Sequence, residues 1–274
     1  MKSSSWIGGV ENSTRIATHR CNYLLQGAVW WTRHSGWQHG QVTSESETSS
    51  TPPASVVAPL IPAATVVLLR EGDGAPEVLL LQRNSGRGAF AGYWVFPGGR
   101  VDDDDFDDVA CAVREAAEET GLAVDPSALV RWSHWTPPVT EPRRFGTWFF
   151  LAPVGPQSDV TVDEGEIVGH AWLTPAEALR RRDVGEVQLA PPTFVTLTCL
   201  SDFESMADAL SHASSKEPDL FQTTMIKEDG QFVVAWDPDA ALADGANLST
   251  EGPRHRIHMN GPGPWVYERP SSSA

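Results

Sequence analysis

The residues of this chain best suited to chemistry are Arg114, Glu115, Glu118 and Glu119, within the run Arg-Glu-Ala-Ala-Glu-Glu. If the run is helical, residues three and four apart share a face, so the three glutamates project together. Three carboxylates on one turn repel one another unless a cation lies between them. Hard oxygen donors select Mg²⁺ or Mn²⁺ over softer metals. Arg114 stands four residues before Glu118, the spacing of a helical ion pair. Taken alone, the run reads more plainly as a solvated, charged helix face. The acidic stretch Asp102 to Asp105 and Asp107-Asp108 precedes it. Negative charge there is favourable against a helix N-terminus, and Asp105 is the member with a second candidate role.

The elements around this run must position it. Residues 106–120 have helical spacing, with Val109, Ala112, Val113 and Ala116 on one face, and Gly121 sits where a left-handed residue stops a helix. Upstream, residues 63–70 (AATVVLLR) and 77–82 (EVLLLQ) flank the turn Glu71-Gly72-Asp73-Gly74, a hairpin signal. Residues 93–96 predict a short strand ended by Pro97-Gly98-Gly99. Further strands are expected at 129–136, 145–152 and 167–173. A helix should then open at Thr174-Pro175-Ala176-Glu177, which supplies an N-cap, a proline at the first helical position and a capping-box glutamate. One more helix is expected over 191–210, followed by an irregular tail with a strand near 232–236. The order β-β-β-α-β-β-β-α predicts an α+β domain with helices packed against a mixed β-sheet.

Bulk properties narrow the choice of function. A formal net charge of -16 over 274 residues argues against a general nucleic-acid binder, which would show a basic face. It leaves room for a phosphorylated small molecule, because a few arginines and a divalent cation can reverse the field inside one cleft. No apolar run is long enough to span a membrane, and no signal-peptide core is evident, so a cytoplasmic protein is expected. Cys21, Cys111 and Cys199 are odd in number and far apart, which fits reduced thiols better than a disulfide framework. Residues 43–55 are mostly Ser, Thr, Glu and Pro and read as a disordered linker. Before it, Trp6, Trp30, Trp31 and Trp37 lie without period in a segment read as a poorly ordered extension, with a docking segment as the other reading. A start codon set too far upstream would explain it, which mass spectrometry of the native N-terminus tests. The organisation expected is an extension over 1–57, a domain over 58–185 and a C-terminal extension over 186–274 packed on it.

With these elements in place, Gly99 through Leu122 (GRVDDDDFDDVACAVREAAEETGL) resembles the signature of the Nudix hydrolases. That signature is Gly, five residues, Glu, seven residues, then Arg-Glu-apolar-x-Glu-Glu-x-Gly-apolar. The second half matches throughout. In the first half the expected glutamate falls on Asp105 counting from Gly99 and on Phe106 counting back from Arg114, so the loop carries one extra residue and Asp105 stands in. The resemblance implies a Nudix-type α/β/α sandwich and a divalent-metal site from Gly99, Glu115, Glu118 and Glu119. Gly98, Asp105, Arg114 and Gly121 would be structural members of the motif. Glu115, Glu119 and Glu166 would be catalytic, with Glu115 or Glu166 as the base. The implied reaction is Mg²⁺- or Mn²⁺-dependent attack of water on a nucleoside diphosphate linked to another moiety.

Leu80 to Gly99 (LLQRNSGRGAFAGYWVFPGG) is similar to the motif that coenzyme A diphosphatases carry ahead of the Nudix box. Arg83 fits it and Arg87 stands one position early; both offer forked donors to phosphate oxygens. Trp135-Thr136-Pro137-Pro138 and the run Arg143 to Phe150 resemble the larger coenzyme A-directed members, which adds Arg144 as a substrate-binding candidate. Gly146 departs from that subgroup, where aspartate is expected. Coenzyme A or an acyl-coenzyme A is thus the expected substrate. The rivals are an ADP-ribose, dinucleotide or oxidised-nucleotide diphosphatase and a non-catalytic nucleotide sensor. No nucleic-acid or membrane partner is expected, and a homodimer is left open. Arg254-His255-Arg256-Ile257-His258 is read as a surface strand, the alternative being a phosphate contact, and its histidines as lacking an acidic partner.

Overall fold

The computed structural model describes residues 57–86, 90–156, 159–162, 165–260 and 263–269. The N-terminal tryptophans, the 43–55 linker and Arg87 lie outside the described residues.

Leu60–Arg70 forms β1, Glu77–Arg83 β2, Trp94–Val95 β3 and Gly98–Arg100 β4. Asp108–Thr120 is α1, and Val130–Thr136, Arg144–Pro153 and Ile167–Leu173 are β5, β6 and β7. The helices α2 (Pro175–Asp183), α3 (Pro191–Leu200) and α4 (Met206–Ser215) follow, then β8 (Asp219–Gln222). The chain closes with β9 (Thr224–Glu228), β10 (Gln231–Ala235), β11 (Arg256–His258) and β12 (Val266–Glu268).

The main sheet runs β3-β2-β1-β6-β5-β8, with β4 on β1 and β7 on β2. It is mixed: β1 pairs parallel with β6 from Leu60↔Arg144 to Leu69↔Pro153, while β2 and β4 meet β1 antiparallel. Because side chains alternate along a strand, β1 serves two cores. Ala64, Val66 and Leu68 face Cys111, Ala112 and Ala116 of α1. Val67 and Leu69 face the other way, toward Trp135, Phe194 and Leu197. The sheet therefore lies between α1 and a layer containing α3 and α4, an α/β/α sandwich of the α+β type. Each large apolar side chain fully buried there contributes roughly 1.5–3 kcal/mol.

Three elements differ from their sequence expectation. The helix α1 opens two residues later than the spacing suggests, because the Asp107 side chain accepts from the Ala110 N–H at 2.8 Å and caps it. Phe106 is left 94% exposed. The helix expected over 191–210 is two, since Ser205 caps α4 by accepting from the Asp208 N–H. The tail is not irregular: β8 joins β5 in parallel at the edge of the main sheet, and β9 to β12 form a second sheet in the order β12-β11-β10-β9. Residue 185 is consequently no boundary of the sheet. Among the described residues no helix is long and apolar enough to cross a membrane.

Arg256 is also not on the surface. Its side chain is 2% exposed and paired to Asp239, itself fully buried, with a further donor to the Leu248 carbonyl at 3.0 Å. Nor is His258 without an acidic partner, since its Nε2 lies 3.1 Å from Glu268.

Candidate active site

The helix α1 turns its small residues into the core and its glutamates toward β4. Gly121, at φ 71°, ends the helix by donating to the Ala117 carbonyl. Glu119 accepts from the Gly98 N–H at 3.0 Å. Gly99 passes so close to Glu115 that a Cβ there would lie 2.2 Å from its carboxylate oxygen, so a side chain would expel the carboxylate.

Arg114 organises the loop before the helix. Its Nε and Nη2 donate to the two oxygens of Asp105 at 3.0 and 2.8 Å, and Nη2 also donates to the Arg100 carbonyl at 3.2 Å. Its Nη1 donates to Glu115 at 2.9 Å and to Glu118 at 3.0 Å. Asp105 also accepts from the Asp102 N–H at 2.9 Å, which closes the loop on itself. This forked bond from Arg114 holds the Asp105 carboxyl down at about 2. Asp105 thus fills the position opposite Arg114 despite its shorter side chain.

The glutamates nearer the sheet are in the opposite condition. Burial pushes the Glu119 carboxyl up to about 7, against the Gly98 N–H that lowers it, and the charge of Glu115 adds to the rise. Burial also raises Glu115, with Arg114 opposing. Arg83 stands across from them: one Nη is 4.0 Å from Glu119 and the other donates to Glu166 at 3.1 Å. Glu166 is fixed beside it because its own carbonyl accepts from the Asn84 N–H at 2.8 Å, while its side chain stays 68% exposed.

Arg83, Gly98, Gly99, Glu115, Glu119 and Glu166 are therefore brought together, with Glu118 held at the rim by Arg114. Arg144 has a different place. Its guanidinium is taken up by the carbonyls of Ala58 and Pro137, at 3.1 Å each through Nη1 and Nη2. It helps line a cavity with Thr136 and Gln222 that no glutamate of α1 reaches. Nη1 and Nη2 of Arg144 are thus engaged by main-chain carbonyls rather than turned toward Glu115 or Glu119.

Among the described residues no three His, Cys, Asp or Glu side chains are gathered as a metal cluster, and Arg114 pairs with Glu115 and Glu118. The donors fit a hard divalent cation nonetheless. Burial raises both Glu115 and Glu119 beside Gly99, and the charge of Glu115 raises Glu119 further, an arrangement that a cation would relieve.

Cys111 is a participant that sequence reasoning missed. It is buried under the loop, with Sγ 3.3 Å from the Arg100 carbonyl and 3.7 Å from that of Gly99. The face read from helical spacing held Val109, Ala112, Val113 and Ala116 and left Cys111 out, and spacing cannot show which backbone a side chain meets.

Residues 59–191 match the family described as the NUDIX domain. The acyl-coenzyme A diphosphatase NUDT19 of Gallus gallus is 33% identical over 115 residues, 40% of this chain and 30% of that protein. The Homo sapiens protein of the same name is 37% identical over 83 residues, 30% of this chain and 22% of its own length. The matched stretch thus spans less than a third of these relatives. A NUDIX hydrolase structure from Alicyclobacillus acidocaldarius superposes with a TM-score of 0.53 at 23% identity, covering 59% of this chain and 100% of that one. At that identity the likeness concerns the fold.

Proposed function

We propose that the NUDIX domain formed by residues 59–191 hydrolyses the diphosphate of coenzyme A or an acyl-coenzyme A with Mg²⁺ or Mn²⁺. The observation that carries this reading is the pair of desolvated carboxylates, Glu115 and Glu119, pressed against Gly98-Gly99 with Arg83 opposite. Glu115, Glu118, Glu119 and the Gly99 carbonyl would hold the cation. When bound, a divalent ion neutralises charge on phosphate oxygens and makes water a stronger acid.

This chain's own residues supply the rest. Arg83 orients the diphosphate through two N–H donors, exchanging its contact with Glu166 for a phosphate oxygen. Glu166, once released, is an exposed carboxylate able to take the proton from attacking water. The water oxygen forms a new bond to phosphorus, the bridging P–O bond breaks, and the products are 3′,5′-ADP and a phosphopantetheine. The names of the relatives and the residues 80–99 that resemble the coenzyme A motif support this substrate over other diphosphates.

The test is incubation with Mg²⁺ or Mn²⁺ and a panel of coenzyme A, acyl-coenzyme A, ADP-ribose, NADH and nucleoside triphosphates, with products resolved by chromatography. Appearance of 3′,5′-ADP from coenzyme A is the expected result. Turnover of ADP-ribose alone would overturn the substrate, and tight binding without turnover would overturn hydrolysis.

A further inference from the structure

Arg182, in the last turn of α2, plays no part in the site above, yet its side chain is only 10% exposed. It pairs with neighbouring Asp183 at 2.9 Å, and the same Nη1 donates to the Gly263 carbonyl at 3.0 Å. Its guanidinium lies 4.1 Å from the ring centre of Trp265 and 5.7 Å from that of Phe194, and those two rings meet edge to face at 5.2 Å. An aromatic face attracts a cation, and a planar guanidinium uses it better than an ammonium does. The stretch leading into β12 is thereby gripped from α2.

At the end of α2 the Arg182 carbonyl accepts from the Gly185 N–H at 3.0 Å, which leads the chain toward β3. The charge of Arg182 also opposes the rise that burial causes in the half-buried phenol of Tyr93. The chain just after α2 runs beside β3, where the Trp94 N–H donates to the Gln188 carbonyl at 2.9 Å and Trp94 pairs with Leu189. Tyr93 in turn clamps Arg83: the Arg83 N–H donates to the Tyr93 carbonyl at 3.0 Å, and the Gly92 N–H donates to that of Arg83 at 3.2 Å. Contacts and main-chain hydrogen bonds thus lead from Trp265 through Arg182, Gly185 and Gln188 to Trp94, Tyr93 and Arg83.

We propose that Arg182 is a positioning residue that couples the 263–269 segment to the end of β2 that carries Arg83, so that the C-terminal segment sets where that guanidinium meets the substrate diphosphate. This rests on the substrate role given to Arg83 above. A packed path of this kind carries coupling only if disturbing either end is felt at the other.

The test uses the full chain with Arg182→Met, Trp265→Leu, the double variant and Trp265→Phe, each first checked for a cooperative melt. Hydrogen exchange at the amides of Arg83, Gly92 and Trp94 is one readout, and KM against kcat with coenzyme A the other. Arg182→Met and Trp265→Leu should each speed exchange and raise KM about tenfold, with kcat changed less than about twofold. The double variant should be no worse than either single, and Trp265→Phe, which keeps an aromatic face, should restore most of the protection. Unchanged exchange at all three amides while 263–269 opens, or additive effects in the double variant, would overturn the coupling. Should Arg182→Met not melt cooperatively, Trp265→Leu against Trp265→Phe decides alone. Should the wild-type chain not turn over coenzyme A, the proposed function falls while the exchange result still decides the coupling.

Discussion

Glu119 and Asp239 are both buried carboxylates, and they are held in opposite ways. In the second sheet, burial alone would raise the Asp239 carboxyl, but donors from Arg256, His255 and Ala241 together outweigh it and the pKa ends lowered. That carboxylate is matched on every side. At the end of α1, Glu119 has one N–H and a distant guanidinium against burial and the charge of Glu115, and its pKa rises. The first arrangement is complete as it stands; the second calls for something from outside the chain. Strongly perturbed carboxylates in a cleft mark function more often than matched ones do, and here the contrast lies within a single chain.

The comparison can be broken most readily at the matched pair. Asp239→Ala would leave Arg256 buried without its counter-ion, and thermal or urea unfolding should show a loss of about 3–5 kcal/mol. Activity at a temperature where the variant is folded should be little changed; a loss of turnover without a loss of stability would overturn the assignment. At the unmatched site the order reverses. Glu119→Gln should melt normally or higher while kcat falls at least roughly 100-fold, since metal-borne charge stabilisation is worth several kcal/mol. Near-normal turnover would remove α1 from the mechanism.

Removing metal sharpens the contrast. The folded Glu119 carboxyl keeps its proton to about pH 7, against an ordinary 4.5, so between those values the folded state binds more protons than the unfolded. Metal-free stability should therefore fall as pH rises through that window, by about 2 kcal/mol or roughly 5 °C in Tm. Melts in EDTA and in Mg²⁺ at pH 5 and pH 8 test this; a curve in EDTA that is flat or rises would contradict it. The smallest effect is expected at Asp105, whose depressed carboxyl stabilises the fold above about pH 4 and loses that contribution as pH falls toward 2. Asp105→Asn should cost about 1–1.5 kcal/mol at neutral pH and flatten the acid limb of the stability curve.

What could be read from the sequence follows from how local each signal is. The hairpin of β1 and β2, the cap of α2 and the carboxylate face of α1 are each written in one continuous stretch of at most about two dozen residues, so pattern and spacing suffice. The strands β11 and β12 are three residues each, too short to carry a pattern, and owe their existence to their partners, as in Ile257↔Tyr267 and Val234↔Ile257. No periodicity announces them. For the same reason Arg256 looked like a surface charge: its partner, Asp239, is 17 residues away and only the second sheet brings them together. Asp105 lay between, since counting found it but only geometry showed it bound to Arg114.

The strand β8 has a consequence in time as well as in space. Its residues 219–222 complete the edge of a sheet that begins at Leu60, pairing with β5 some 80 positions earlier. During synthesis, at about 5–20 residues per second, the segment through α2 would leave the ribosome well before that edge is covered. Until then the edge of β5, a row of unpaired main-chain donors and acceptors, is open to other chains. A ribosome-bound chain halted before residue 219 should thus be stickier than one halted after 222. The last strand of the main sheet to be made is also its guard against aggregation.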